Sequence, residues 1–235
     1  MKVCCIGDIH GTDKFLKCYE DILKNDNDCE KIIVFGDHFD PYENFTLDEM
    51  IEKYNKFIEI SHQDDRIISL LGNHDLSYYI IQNDQTNRTT WRGANRITEC
   101  IESNLENSYI CYKIGDYLFS HAGVSAEWLE RIDKFGTKKW SEDVLNNKKG
   151  WTPYELLQTV AWNDMDYSGY GNHPWQGCTW IRPYALIECA IDGYNQVVAH
   201  TRVDEIKKIL MDNGKDLWLI DTKGEPNYLT LEIEI

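Results

Sequence analysis

The spacing of hydrophobic and polar positions changes along the chain, and each change marks an element. Lys2 to Gly7 is a short, nearly continuous apolar run that predicts a buried strand. Phe15, Leu16, Tyr19, Ile22 and Leu23 then recur at helical spacing, with Thr12 the expected N-cap. Lys31 to Gly36 predicts a second strand. Thr46-Leu47-Asp48-Glu49 has the form of a capping box, opening a helix with Leu47, Met50, Ile51, Tyr54, Phe57 and Ile58 on one face. Arg66 to Leu71 predicts a third strand, ending in Gly72-Asn73-His74-Asp75. Strands alternating with helices are the mark of β-α-β units.

Beyond residue 90 the pattern weakens. Trp91 to Leu105 predicts a helix, and Tyr109–Lys113 with Tyr117–Ser120 predict a hairpin around Gly115-Asp116. Residues 125–180 are rich in Trp, Asn, Gly and Lys, which suggests helices and long loops forming a cap over one side of a site. Strand character returns at Gln196–Ala199, Leu217–Asp221 and Tyr228–Ile235, with a short helix expected around Asp204–Leu210. The order is βαβαβ, an irregular cap, then mostly β, so the fold class is mixed α/β. Residues 1–235 are expected to form one domain.

Composition narrows the class. At 235 residues and 42% apolar the chain can bury a sizeable core. No run approaches a membrane span, and Met1 to Ile6 leads into Gly7-Asp8-Ile9-His10 without a cleavable apolar stretch, so a cytoplasmic protein is expected. A net charge of −16 repels a phosphate backbone and disfavours nucleic-acid binding. The 8 cysteines include no C-x-x-C and several lie in apolar runs, so reduced, buried thiols are expected.

The chemistry shows in where the polar residues fall. Five apolar runs each end in a cluster of Asp, Asn or His: Asp8-x-His10, Gly36-Asp37-x-x-Asp40, Gly72-Asn73-His74-Asp75, Ser120-His121-Ala122-Gly123 and Ala199-His200-Thr201. Ligands of open α/β sheets bind at the carboxyl ends of strands, where such clusters can converge. Oxygen and imidazole donors without thiolate suit hard or borderline dications such as Mn, Fe or Zn. An Asp able to bridge suits two metals about 3.5–4 Å apart. Singly, each cluster also reads as a turn with a satisfied histidine, and His121 and His200 as ordinary buried histidines. Five in order make coincidence a poor account.

The ordered set GD-x-H, GD-x-x-D, GNH-[ED], H-[AG]-G and H-T resembles the calcineurin-like metallophosphoesterases, most closely the Ser/Thr protein phosphatase branch of bacterial and bacteriophage type and the symmetrical dinucleoside-tetraphosphate hydrolases. The resemblance runs from Gly7 to about Thr222. It implies a four-layer β-sandwich of two mixed sheets flanked by helices. It also implies that Asp8, His10 and Asp37 hold one metal, and that Asp37 bridges to a second completed by Asn73, His121 and His200. Mn is the first expectation for both ions, with Fe, Zn or Ni as alternatives. A hydroxide bridging the metals would attack phosphorus in line. His74 would protonate the leaving group, Asp40 would orient its imidazole, and Asp75 would be structural.

Trp180-Ile181-Arg182-Pro183 resembles a Trp-x-Arg-Pro segment whose Arg faces phosphate, making Arg182 the candidate grip, with a surface Arg before a helix-opening Pro as the plain alternative. Two departures stand out. The Arg-Gly that usually follows GD-x-x-D is here Pro41-Tyr42, leaving Arg88, Arg92 and Arg96 as unranked substitutes or a solvated helix face. The second His of the nuclease-type G-H-x-H is here Arg202, which favours a phosphomonoesterase. Asp221-Thr222 supports the fold only, and Trp175 or Trp180 could line a groove. The expected partner is a phosphorylated substrate, protein or small molecule, with no membrane. The lead expectation is a dimetal phosphatase, with Ser/Thr protein phosphatase as its narrower form. The alternatives are a diadenosine-tetraphosphate or nucleotide hydrolase, and a non-catalytic scaffold of the same fold.

Overall fold

The computed structural model describes residues 1–43, 45–80, 93–161, 170–223 and 225–235. Two five-stranded mixed sheets form its centre. In the first, the order is β10 (Tyr228–Glu232), β1 (Lys2–Ile6), β2 (Lys31–Val34), β3 (Ile67–Leu70) and β4 (Ser108–Tyr109). β1 to β4 run parallel and β10 pairs antiparallel with β1. In the second, the order is β5 (Cys111–Ile114), β6 (Tyr117–Ser120), β7 (Asn195–Arg202), β9 (Asp216–Asp221) and β8 (Lys207–Leu210). Here β6, β7 and β9 are parallel, with an antiparallel strand at each edge.

The continuous apolar character of β1 and β2 follows from burial on both faces. Val3, Cys5, Ile33 and Phe35 point into the space between the sheets, against Phe119, Val197, Ala199 and Ile220. Their neighbours Cys4, Ile6, Ile32 and Val34 face α1 (Lys14–Asn25) and α2 (Leu47–Gln63) through Phe15, Cys18, Ile22, Tyr54 and Phe57. The outer face of the second sheet, Val198, Leu217 and Leu219, is covered by Ala185 and Leu186, and these belong to a short helix at Pro183–Cys189. This is the arrangement the motif resemblance implied: two mixed sheets with helices outside. No helix among the described residues is long and apolar enough to cross a membrane. The described cysteines are all free thiols, most of them buried.

Several boundaries differ from the sequence reading, each for a local reason. The capping box at Thr46 is present, with Thr46 Oγ1 accepting from Glu49 N at 3.3 Å and Glu49 Oε2 accepting from Thr46 N at 2.7 Å. The N-cap of α1 is Asp13 rather than Thr12, although the Thr12 hydroxyl, which donates to the Ile9 carbonyl at 2.7 Å, still accepts from Lys14 N at 3.2 Å. Asp204–Leu210 does not form a helix. Ile206, Ile209 and Leu210 have helical spacing, but Lys207–Leu210 is the edge strand β8, paired with β9 from Lys207↔Leu219 to Leu210↔Asp216. Ladder bonds to β9 outweigh the weak helical pattern of so short a segment. Tyr109 belongs to β4 of the first sheet, so the hairpin begins at Cys111. The helix expected at Trp91–Leu105 is α4 (Ala94–Glu102); Trp91 and Arg92 lie outside the described residues.

Within 125–180 the described α-helices are α5 (Ala126–Phe135), α6 (Trp140–Leu145) and α7 (Pro153–Leu156), with a π-helical turn at Leu157–Ala161, so the helical Pro183–Cys189 is α8. Trp128, Trp140 and Trp151 are buried between these helices and the second sheet's hairpin. The indole N–H of Trp128 donates to the Thr159 carbonyl at 2.9 Å, and that of Trp151 to the Lys148 carbonyl at 2.9 Å. These tryptophans pack the region and do not face the site.

Candidate metal centre

All five polar clusters lie at the carboxyl ends of parallel strands. Asp8 and His10 follow β1, Asp37 and Asp40 follow β2, Asn73 and His74 open α3 (Asn73–Tyr79) directly after β3, His121 follows β6, and His200 lies within β7. Four of these residues have left-handed backbones: His10 (φ 47°), Asp37 (φ 49°), Asp40 (φ 61°) and His200 (φ 57°). Such conformations cost about 1–3 kcal/mol each and collect where a side chain must be aimed. The motif glycines have an equally local cause. A Cβ on Gly72 would lie 2.1 Å from Asp37 Oδ1, and one on Gly36, whose φ is +84°, would lie 2.3 Å from Gly72 N. The β2 and β3 loops can therefore touch only as bare backbone.

Asp75 ties these loops together. Its carboxylate accepts from Gly72 N at 3.0 Å, Asp37 N at 2.8 Å and His38 N at 2.8 Å. The expected structural role holds, in the first turn of α3. Burial, followed by the nearby Asp37 carboxylate, pushes its pKa up to about 7.

Among the described residues two Asp/His groups have donor atoms within 4.8 Å of one another: Asp8, His10 and Asp37, and Asp37, His121 and His200. Asp37 is common to both. His10 Nε2 lies 3.7 Å from Asp8 Oδ2 and 3.8 Å from Asp37 Oδ2. His121 Nε2 lies 3.4 Å from Asp37 Oδ2 and 2.9 Å from Asn73 Oδ1, so Asn73 joins the second group. His10 Nδ1 is 3.0 Å from the Phe39 carbonyl and His121 Nδ1 is 2.6 Å from the Phe35 carbonyl. A proton on each Nδ1 satisfies those carbonyls and turns the Nε2 lone pairs toward the carboxylates, as metal-binding histidines are held.

The residues fit a pair of cations. Asp8 and Asp37 are both buried, and burying an ionised carboxylate costs several kcal/mol, more than the roughly 1.5–3 kcal/mol a charged hydrogen bond returns. His200 Nε2 is buried and has no hydrogen-bond partner among the described residues. Divalent cations between Asp8 and His200 would answer both needs.

Without metal, protons do part of this work. Burial opposes a charged His121, but Asp37 and Asp8 outweigh it and push its pKa up to about 10. Burial likewise opposes a charged His10, and the same carboxylates raise it. Burial also opposes ionisation of Asp8 and Asp37, yet the imidazoles, His121 foremost, hold both below the usual carboxylate range. His200 moves the other way: burial, then the Arg182 guanidinium, press its pKa well down. It is a neutral imidazole, the form that coordinates a cation.

His74 stands beside this centre. Its backbone N–H donates to Asp37 Oδ1 at 2.8 Å, its Nδ1 lies 2.7 Å from Asp40 Oδ2, and its ring meets that of His10 edge-on at 5.4 Å. The Tyr78 hydroxyl donates to the other oxygen of Asp40. Tyr78 did not stand out in the sequence. The available signal was a helix starting at Asn73, which would bring residues 74 and 78 onto one face.

Arg182 reaches the site from the N-terminus of α8. Its Nη1 donates to Thr201 Oγ1 at 3.0 Å and to the His200 carbonyl at 3.2 Å. Pro183 does open the helix, but Arg182 is half-buried against the centre and is no free surface residue. Arg96 instead pairs with Asp48 at 2.8 Å on the exposed face of α4, and Arg88 and Arg92 lie outside the described residues. Arg202 stacks on the Tyr42 ring with its guanidinium 3.1 Å from the centroid, and Tyr42 meets His10 edge-on at 4.7 Å. The Pro41-Tyr42 departure thus places an aromatic ring, capped by a cation from β7, beside His10. Trp180 meets His200 edge-on at 5.4 Å, whereas Trp175 stacks on His173 at 4.3 Å. Asp221 is buried, with Lys14 Nζ 4.0 Å away; burial and the Asp8 carboxylate push its pKa up to about 6.

A family model described as calcineurin-like phosphoesterase matches residues 1–219. No curated protein matches the chain. Among solved structures, a protein serine/threonine phosphatase from Saccharomyces cerevisiae with similarity to human phosphatase PP5 superposes with a TM-score of 0.50 at 13% identity, covering 94% of this chain and 67% of that one. A metallophosphoesterase from Sphaerobacter thermophilus aligns over 99% of this chain and 84% of its own, at 14% identity and a TM-score of 0.44.

Proposed function

This chain belongs to the calcineurin-like phosphoesterase family, and from that premise we propose that it is a dimetal-dependent phosphomonoesterase. The observation that carries the reading is the position of Asp37, shared by two buried Asp/His groups. Asp8 and His10 would complete one metal site, and Asn73, His121 and His200 the other. Two bound dications would supply a strong nucleophile from water at neutral pH and offset phosphoryl charge.

The chain's own residues supply the rest. Arg182, pinned on Thr201 and the His200 carbonyl, offers its remaining guanidinium N–H groups to the non-bridging phosphate oxygens. When the P–O bond to the leaving group breaks, its electron pair goes to the leaving oxygen, which takes a proton from His74 Nε2. Asp40 holds the opposite nitrogen of that ring, so the imidazole keeps its orientation as it gives up the proton. A scaffold has no use for this hydrogen-bonded acid, which favours an enzyme. The monoester preference rests on Arg202 standing where a diesterase would carry a second histidine, and on an Arg182 suited to a dianionic phosphate.

The test is Mn-supplemented hydrolysis of p-nitrophenyl phosphate, its bis-ester, a phosphoserine peptide and diadenosine tetraphosphate. The account predicts turnover of the monoester well above the diester. Turnover of the tetraphosphate alone would replace it with the nucleotide-hydrolase alternative, and two bound metals with no turnover of any substrate would favour the scaffold.

A further inference from the structure

We propose that Tyr78 is a positioning residue for proton donation, acting on His74 through Asp40; the proposal rests on the phosphoesterase reading above. Asp40 is 0% exposed and Tyr78 1% exposed. One Asp40 oxygen faces His74 Nδ1 and the other accepts from the Tyr78 hydroxyl, so the carboxylate is held at both ends. Its backbone is left-handed, a conformation that an aspartate adopts at some cost to aim its side chain inward.

Tyr78 is itself placed by packing that does not involve Asp40. Its carbonyl accepts from Thr98 Oγ1 of α4 at 2.9 Å, and its ring packs against Phe39 at 6.3 Å between centroids. Phenylalanine would keep those contacts, whereas the hydroxyl adds a hydrogen bond to Asp40. Held at both oxygens, Asp40 keeps the Nδ1 edge of the imidazole turned toward it. The proton on Nε2 is then the one delivered to the leaving oxygen, and His74 ends neutral with its Nδ1–H still on Asp40.

This predicts a dependence on the leaving group that a purely structural tyrosine would not produce. Nitrophenolate departs without a proton, whereas an alkoxide requires one. Across a series from nitrophenyl to alkyl phosphates, Tyr78→Phe should lower kcat about tenfold for the alkyl esters, the scale of one hydrogen bond to a charged group, and little for the nitrophenyl ester. His74→Asn should show the same trend more steeply, and the double variant should be no worse than His74→Asn alone. Equal loss across the series, or additive losses in the double variant, would overturn the proposal. A second readout needs no turnover. In the metal-free protein the Nδ1–H proton resonance of His74 should lie downfield and should shift or broaden away in Tyr78→Phe. An unchanged resonance would overturn the role of Tyr78 even in an inactive parent. A changed resonance in an inactive parent would count against the phosphoesterase reading alone.

Discussion

The loops of the first sheet reach the centre already tied to one another, whereas those of the second arrive with a nitrogen to spare. After β2 and β3, Asp75 gathers three backbone N–H groups, Asp37 takes the His74 N–H, and Asp40 links His74 to Tyr78. On the second sheet His121 is held at both ring nitrogens, yet His200 Nε2 has no partner among the described residues. The first side is organised by protein alone. On the proposed reading a cation would complete the second, and this asymmetry separates the roles of residues that look alike in sequence.

The largest effect should come from the residue shared by both groups. Asp37→Asn weakens the bridge and loosens the His74 N–H contact, so it should lose both ions and bring turnover to background. Metal analysis checks this, and two retained ions would show that another carboxylate bridges. His74→Asn lies on the pre-organised side but outside the metal set. It should lower kcat by about 10²–10⁴-fold, the usual scale for an acid–base group, with metal content unchanged. Full activity in that variant would remove His74 from the chemistry.

Arg182→Ala probes the second side away from the metals. It should raise KM and the inhibition constant of inorganic phosphate by about ten- to a hundredfold, as expected for a lost charged hydrogen bond. Unchanged constants would make Arg182 a helix-start residue and nothing more.

The smallest effect concerns stability. His38 sits in an apolar pocket, its ring 4.3 Å from that of Phe57, and burial presses its pKa from 6.5 down to about 3. As pH falls below about 6.5 the unfolded chain takes up a proton that the folded chain refuses, so stability present above that pH is lost toward pH 3. His38→Phe should therefore flatten the fall in Tm between pH 7 and pH 5. An identical fall in both proteins would place the acid sensitivity elsewhere.

The same asymmetry governs what could be read from sequence. The strands of the first sheet announce themselves, because Val3 to Ile6 and Ile32 to Val34 are apolar on both faces and end in Asp and Gly. The candidate metal set was readable for that reason: each donor follows an apolar run, and parallel strands bring such ends together. β8 was not, because an edge strand exposing Lys207, Lys208 and Leu210 has no buried face to set a period of two. Tyr78 was hidden by the brevity of α3, whose seven residues give no periodic pattern. The Arg202–Tyr42 stack joins residues 160 positions apart, which nothing local can signal.

The most direct test of the central claim is metal stoichiometry by native mass spectrometry after Mn loading, in the parent and in His200→Ala. Two ions per chain in the parent and one in the variant would match a centre in which Asp8, His10 and Asp37 hold a cation by themselves while the second depends on His200. Fewer than two ions in the parent, or two in both proteins, would contradict it.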